Sequence, residues 1–319
     1  MVTRELYDWR QACFVRLRLR CRLLEPACID AAVLMRLRRR LRQAGQQLFC
    51  GTPAATAERF AALFEAPVAL NPAEQRRAYR AGAPFVLQPC ATPPLAGVAG
   101  ATFDSEVLLW GQAALRLADW LALWQQLGQQ GLSLAGGRFE PVCLDAADAS
   151  GHFVPLWQLG ASSAVLPPAP QCDLAWWLAL QSLDAPLLLR LETPARLLSR
   201  GRPLFRADFI QFFPFILRRV SALLAAHCGL PFTGDAARLC QLAGQVKQAG
   251  CLRWHDWRLL TAAAADPQPL GGLLGQLKLD GSQQREVIEV VAVGSLLNLG
   301  KNAACGAGAY RLLPVTASN

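Results

Sequence analysis

CFVRLRLRCRLL, residues 13–24, alternates strictly. Cys13, Val15, Leu17, Leu19, Cys21 and Leu23 occupy one set of positions, and Arg16, Arg18, Arg20 and Arg22 the other. Successive strand side chains point to opposite faces, so this period of two predicts a β-strand with one buried and one basic face. A solvated sheet face would accommodate the arginines. No acid is interleaved among them, however, and their mutual repulsion favours a bound polyanion.

Beyond Glu25 and Pro26 a helix is expected from Asp30, as N-cap, to about Leu48. Val33, Leu34, Leu37, Leu41 and Leu48 recur there at helical spacing. Arg36, Arg38, Arg39, Arg40 and Arg42 cover much of the remaining helix surface, with no acid on the helix to neutralise them. RNA contact is preferred over a merely solvated face. A helix from Ala55 to Phe64 and a further basic patch at Arg76, Arg77 and Arg80 come next. Strand-like PFVLQPC (84–90), an apolar strand Val107–Trp110, a helix Gln112–Leu127, a loop Gly131–Gly137 and a strand Arg138–Leu144 complete the half. Trp110, Trp120 and Trp124 fall on apolar patterns and read as core rather than as base-stacking groups. The order strand, helix, strand, strand, helix, strand predicts a ferredoxin-like unit.

A length of 319 residues suits two domains, and 53% hydrophobic against 17% charged residues supplies cores for both. The formal net charge is +9, and only Lys247, Lys278 and Lys301 are lysine. Arginine forks onto phosphate and stacks on bases, which makes RNA or DNA the first candidate partner. A GC-rich genome would also enrich arginine, but it does not decide where the arginines sit. The eleven cysteines contain no C-x-x-C pair and no zinc-like spacing. Neither a metal nor another cofactor is expected. The start, MVTRELYDWRQ, lacks an apolar signal core, and apolar runs such as Phe209–Leu217 are short and followed by Arg218 and Arg219. The expectation is a reduced, cytoplasmic protein with no membrane partner.

Proline-rich 162–185 is expected to link a domain at 1–161 to one at 186–319. The second domain opens with the strand LLLRLETP (187–194) and a helix 208–227 carrying Arg218 and Arg219. RWHDW (253–257), LGGLLGQLKLDG (270–281) and a strand-and-helix region Val287–Leu299 lead to GSLLNLGKNAACGAGAY, residues 294–310. Gly294, Gly300, Gly306 and Gly308 surround the single lysine Lys301. Such a loop can cradle phosphate with backbone N–H groups, and it can also be a plain turn. It is not a nucleotide-triphosphate loop: Gly294 lies one residue too far from Gly300-Lys301, and Asn302 stands where Ser or Thr is needed.

Taken in order, these segments resemble the CRISPR precursor-RNA processing endoribonucleases of the RAMP superfamily. LLWGQAALRLADWLALWQQLGQQGLSLAGGRFE (108–140) is similar to the family's strand, helix and Gly-Arg turn. LLLRLETPARLLSRGRPLFRADFIQFFPFILRRVSAL (187–223) is similar to its Thr-Pro-x-Arg segment and following helix. RWHDW, LGGLLGQLKLDG and the closing glycine stretch match later landmarks, so the resemblance runs from about Pro84 onward. It implies an α+β chain of two tandem ferredoxin-like (RAMP- or RRM-like) domains, here with an arginine-rich helical insertion at about 30–80 in the first. It further implies a precursor crRNA repeat hairpin as partner, possible further subunits of a CRISPR ribonucleoprotein, and one metal-independent cut. In that cut a ribose 2′-hydroxyl attacks the adjacent phosphate, leaving a 2′,3′-cyclic phosphate and a 5′-hydroxyl.

The sequence departs from the family pattern in three places. The helix 30–48 has no histidine where many members carry one, Asn298 stands where many relatives' glycine loops have histidine, and a cysteine-bearing insert is absent. The arginine row without histidine looks most like the variant of type IV CRISPR systems. Of three histidines, His152 reads as a turn residue, His227 as a helix-end group and His255, between Trp254 and Asp256, as a minority catalytic candidate. Without a histidine, Arg36, Arg38, Arg39, Arg40 and Arg42 become the candidate phosphate stabilisers. Arginine is a poor proton carrier, so turnover should be slow or single, with the product retained. RNA-binding candidates are Arg16, Arg18, Arg20, Arg22, Arg76, Arg77, Arg196, Arg200, Arg202, Arg218, Arg219, Gly300, Lys301, Asn302, Gly306 and Gly308. Tyr7 and Tyr310 are possible acid/base or stacking groups, with structural roles preferred. Asp104, Glu106, Asp145 and Asp148 read as loop residues rather than a metallonuclease cluster. The rival reading is a non-catalytic guide-RNA-binding subunit.

Overall fold

The structure, a computed structural model, describes residues 7–29, 31–49, 54–65, 81–88, 95–132, 136–161, 166–232, 234–256 and 271–315. The chain forms two compact units. One comprises Cys13–Asp173 with Ala226–Cys228, and the other Met1–Ala12, Leu174–Ala225 and Gly229–Asn319.

In the first unit the alternating stretch is β1 (Cys13–Leu23), which leads through α1 (Ala31–Phe49) and α2 (Ala54–Phe64) to β2 (Phe85–Leu87). There follow β3 (Thr102–Trp110), α3 (Leu117–Gln130), β4 (Phe139–Ala147) and β5 (Phe153–Gln158). The sheet order is β2-β3-β1-β4-β5 with antiparallel neighbours, so β1 is central and its two ferredoxin partners flank it. The arginine-bearing α1 is thus the crossover helix of the fold itself; it stands where the sequence reading placed an insertion. Helix α3 packs Trp120, Leu123, Trp124 and Leu127, all buried, against the sheet. Trp120 meets Phe85 at 5.1 Å and Trp124 meets Phe139 at 5.9 Å between ring centroids. Each such ring buried from water contributes on the order of 2–3 kcal/mol.

The basic face of β1 differs from its expectation. Arg16 pairs with Glu106 at 2.8 Å, Arg18 with Asp145 at 2.7 Å, Arg20 with Asp104 at 2.9 Å and Arg22 with Glu140 at 2.6 Å. Asp104 and Glu106 lie on β3 and Asp145 on β4, not in loops. Along the chain no acid separates these arginines. Cross-strand neighbours supply the compensating charge, because register puts Arg20 opposite Asp104 and Arg22 opposite Glu140.

The second unit repeats the topology. Strand β6 (Leu187–Ala195), α4 (Phe209–His227), β7 (Lys247–Asp256), β8 (Gly271–Asp280), α5 (Arg285–Ser295) and β9 (Tyr310–Pro314) follow in order. The sheet runs β7-β8-β6-β9, with the two-residue strand Arg206–Ala207 on its β7 edge. Helix α4 is long and apolar enough to cross a membrane by length and composition, but it buries Phe209, Phe212, Phe213, Ile216, Leu217 and Val220. The β-branched run Val287–Val293 lies wholly in α5 rather than partly in a strand. Val287, Val290, Val291 and Val293 are buried, so packing overrides the strand preference of valine. Within the stretch expected as a linker, Cys172–Asp173 pairs with β1 and Leu174–Ala179 is helical, with Leu174 and Leu178 buried.

Candidate nucleic-acid interface

Gly294 belongs to the last turn of α5, where a Cβ would meet Ile216 and the Tyr310 hydroxyl at 2.4 Å. The glycine loop proper therefore begins after Ser295. Asn298, Gly300, Asn302, Gly306 and Gly308 all have positive φ, from 52° to 92°, so the chain winds through left-handed conformations that favour glycine and asparagine. The Thr193-Pro194-x-Arg196 segment at the end of β6 clamps this loop. The Lys301 N–H donates to the Arg196 carbonyl at 3.1 Å and the Gly308 N–H to that of Pro194 at 3.0 Å. The Thr193 hydroxyl donates to the Gly306 carbonyl at 2.6 Å and accepts from the Ala309 N–H at 2.9 Å.

This wiring corrects one expectation. The Gly306 and Gly308 N–H groups donate to Ala303 and Pro194 carbonyls, and both residues are buried, so neither amide is open to a phosphate. Their role is close backbone approach: a Cβ on Gly308 would stand 2.0 Å from the Leu299 carbonyl oxygen. What the loop presents is Gly300 and Lys301, both exposed, and half-buried Asn302. Among the described residues the Gly300 and Asn302 N–H groups have no acceptor and the Lys301 ammonium has no partner. Asn298, by contrast, is fully buried and donates to the Ala303 carbonyl at 3.0 Å.

The other candidates divide by environment. Half-buried Arg196 sits directly against the loop, and its chain continues into the hairpin of Leu198–Ser199 and Arg202–Pro203, which carries exposed Arg200 at its tip and exposed Arg202 on its returning strand. Arg219 on α4 donates to the Leu297 carbonyl at 3.3 Å, just past the C-terminus of α5, while exposed Arg218 lies over Phe215. On α1, Arg40 donates to the Gln130 and Gly131 carbonyls at 2.9 and 3.0 Å, capping α3. Arg42 pairs with Glu65 at 3.3 Å and lies over Phe60, while Arg39 is exposed. The helix surface is thus partly neutralised by residues outside the helix. Arg36 and Arg38 are on α1 with side chains outside the described set, and Asp30, Arg76 and Arg77 lie outside the described residues.

Neither described tyrosine is placed for proton transfer. The buried Tyr310 hydroxyl donates to the Val291 carbonyl at 2.6 Å, and burial raises its pKa well above the ordinary value. Tyr7 donates to Ser221 at 2.9 Å, and burial pushes its phenol up to about 12. The His152 ring contacts Ser150 Oγ at 2.8 Å in a hairpin turn that Asp148 ties together, and His227 Nε2 contacts the Gly82 carbonyl at 3.0 Å. His255 is exposed on β7. Among the described residues no three His, Cys, Asp or Glu side chains gather into a metal-binding group.

The sequence reading passed over Phe205, Arg206 and Arg253, which meet at the β7 edge of the second sheet. Their signal was weak: one aromatic and two arginines about fifty residues apart, joined only by strand pairing.

Residues 189–310 match the family model of the CRISPR-associated endoribonuclease Cas6, and residues 12–169 match a model described as an N-terminal domain. No curated protein sequence matches the chain. Among solved structures, a partial Cas6-RT-Cas1–Cas2 complex shares 15% identity at a TM-score of 0.57, over 97% of this chain. The chain spans 47% of that protein, and 29% of the protein in a second complex of the same kind. Thermus thermophilus Cas6 shares 15% identity at a TM-score of 0.52, over 95% of this chain and 99% of its own. A Cas6 product complex shares 18% identity at 0.51, over 94% of this chain and all of its own. At these identities the likeness is one of fold. The chain has the tandem ferredoxin-like fold of the solved Cas6 structures, and its residues 189–310 match the Cas6 family model.

Proposed function

We propose that this chain binds a CRISPR repeat hairpin RNA and cleaves the precursor once, without a metal. The observation that carries the reading is the clamp between Thr193-Pro194-x-Arg196 and the glycine loop, inside the region that matches Cas6. It fixes Lys301 beside Arg196, together with the Gly300 and Asn302 N–H groups, which have no acceptor among the described residues, as a rigid anion site at the end of the sheet. There the cations hold phosphate and offset the charge that develops on the phosphorane. The 2′-oxygen bonds to phosphorus, its proton passes to solvent or a base, and the 5′-oxygen leaves and takes up a proton. The products are a 2′,3′-cyclic phosphate and a 5′-hydroxyl. Arginine cannot relay those protons at neutral pH, so the reaction is slow and the product stays bound. Arg36, Arg38 and Arg39 on α1 supply further phosphate contacts, and the arginine row without histidine supports an assignment to the type IV variant. The setting is cytoplasmic, and other CRISPR subunits join the complex, by analogy with the Cas6-RT-Cas1–Cas2 complexes.

A second reading, a subunit that holds guide RNA without cutting, is favoured by the histidines: the rings of His152 and His227 are engaged by Ser150 and the Gly82 carbonyl, and His255 is exposed on a strand. One experiment separates the two. Repeat RNA is incubated with the protein in EDTA, alongside the same RNA carrying a single deoxyribose at the scissile position. Cleavage of the first and not of the second supports the nuclease. Tight, salt-sensitive binding with both RNAs intact leaves only the holding subunit.

A further inference from the structure

The β7 edge of the second sheet carries an arrangement that neither the clamp nor the α1 arginines use. Phe205 is 64% exposed and is the sole aromatic among the large exposed hydrophobic side chains of the described residues. Its ring lies 5.3 Å from that of Trp254, and the Trp254 N–H donates to the Phe205 carbonyl at 2.8 Å. Trp254 is held from below, because a Cβ on Gly271 would stand 2.7 Å from its indole. Phe205 is therefore exposed on a fixed floor. Beside it Arg206 and Arg253 sit directly opposite each other across the ladder. Like charges so placed are destabilising. In the first sheet every arginine of β1 has a carboxylate; here, among the described residues, neither does, and Arg253 Nε points at the Cys251 sulfur at 3.4 Å. Adjacent strand positions face opposite sides, so the edge offers a ring on one side and two guanidiniums on the other. A nucleotide draped over a two-residue edge meets both, base against ring and phosphate against guanidinium.

We propose that this edge is a second RNA contact, in which an unpaired base stacks on Phe205 and Arg206 and Arg253 hold its flanking phosphates. The inference rests on the RNA-binding reading above and deepens it: the substrate has a single-stranded flank beside its hairpin, and the edge reads that flank without sequence specificity. Base stacking on aromatic side chains tolerates any base.

The test compares a repeat hairpin with and without a short unpaired flank, for wild type, Phe205→Ala, Phe205→Tyr, and Arg206→Ala with Arg253→Ala. Phe205→Ala should weaken flanked RNA roughly ten-fold, as loss of one base–aromatic stack does, and leave the bare hairpin unchanged. Phe205→Tyr should restore binding, which rules out misfolding as the cause. The double arginine variant should lower the salt slope for flanked RNA alone. Equal weakening of both RNAs by Phe205→Ala, or no weakening of either, overturns the platform while Lys301→Ala still reports on the clamp. If wild type fails to bind the hairpin, the clamp reading falls instead, and an oligouridylate assay then decides the platform by whether Phe205→Ala weakens it. A Phe205→Ala protein that changes only self-association by light scattering overturns the proposal in favour of a second copy of the chain.

Discussion

Gly308→Ala probes the rigidity of the clamp, on which the anion site depends. Gly308 has φ +66°, and an added Cβ would lie 2.0 Å from the Leu299 carbonyl oxygen and 2.8 Å from its carbon. Both atoms are backbone and cannot swing aside. The left-handed conformation alone costs a non-glycine residue about 1–2 kcal/mol. Relieving the clash also means opening the bonds from Gly308 N–H to Pro194 and from Leu299 N–H to the Gly308 carbonyl, both 3.0 Å, at roughly 0.5–1.5 kcal/mol each. The total is on the order of 2–5 kcal/mol. Gly151→Ala is the control: its φ is +83°, yet a Cβ there meets nothing within 4 Å, so only the conformational cost of about 1–2 kcal/mol applies. Urea denaturation followed by tryptophan fluorescence and by repeat-RNA affinity reads both effects. Gly308→Ala should lower the midpoint further than Gly151→Ala and weaken RNA binding, because Lys301 loses its fixed position. Equal midpoints with undiminished RNA affinity would refute the rigid clamp.

Arg40→Ala should cost about 1–2 kcal/mol in denaturation by uncapping α3, whereas Arg39→Ala should leave stability unchanged and weaken RNA binding. Arg18→Ala strands Asp145, which is buried, and should cost about 1–3 kcal/mol; Arg20→Ala, at an exposed pair, should cost under about 1 kcal/mol. Tyr7 titrates near 12 when folded and near 10 when unfolded. Above pH 10 the unfolded chain binds fewer protons, so stability contributed by neutral Tyr7 is full below pH 10 and falls by up to about 1.4 kcal/mol per pH unit toward pH 12. Tyr7→Phe should flatten that part of the alkaline denaturation profile; an unchanged profile contradicts the burial assignment.

The ferredoxin order was legible because each half states it locally: period two in Cys13–Leu23, helical spacing in 31–49, apolar strands at 107–110 and 187–194. What local pattern could not carry was partnership at long sequence separation. The acids facing β1 lie from 84 to 127 residues away from their arginines, so a row of unopposed charge in the sequence is a bridged ladder in the sheet. Arg40 read as a phosphate ligand for the same reason, since its acceptors lie at the end of another helix, 90 and 91 residues on. The glycine loop was recognisable by composition, but which amides stay open depends on Thr193–Arg196 reaching it from the other end of the unit. The Phe205 edge, too, exists only once β7 pairs with Arg206–Ala207.

The most direct test of the central claim is the chemistry at the cut ends. Repeat RNA is incubated with the protein in EDTA, and the fragments are weighed by mass spectrometry. The account predicts an upstream fragment ending in a 2′,3′-cyclic phosphate and a downstream fragment with a 5′-hydroxyl, both lost in Lys301→Ala with Arg196→Ala. Fragments ending in a 3′-hydroxyl and a 5′-phosphate, or RNA left whole, would contradict it.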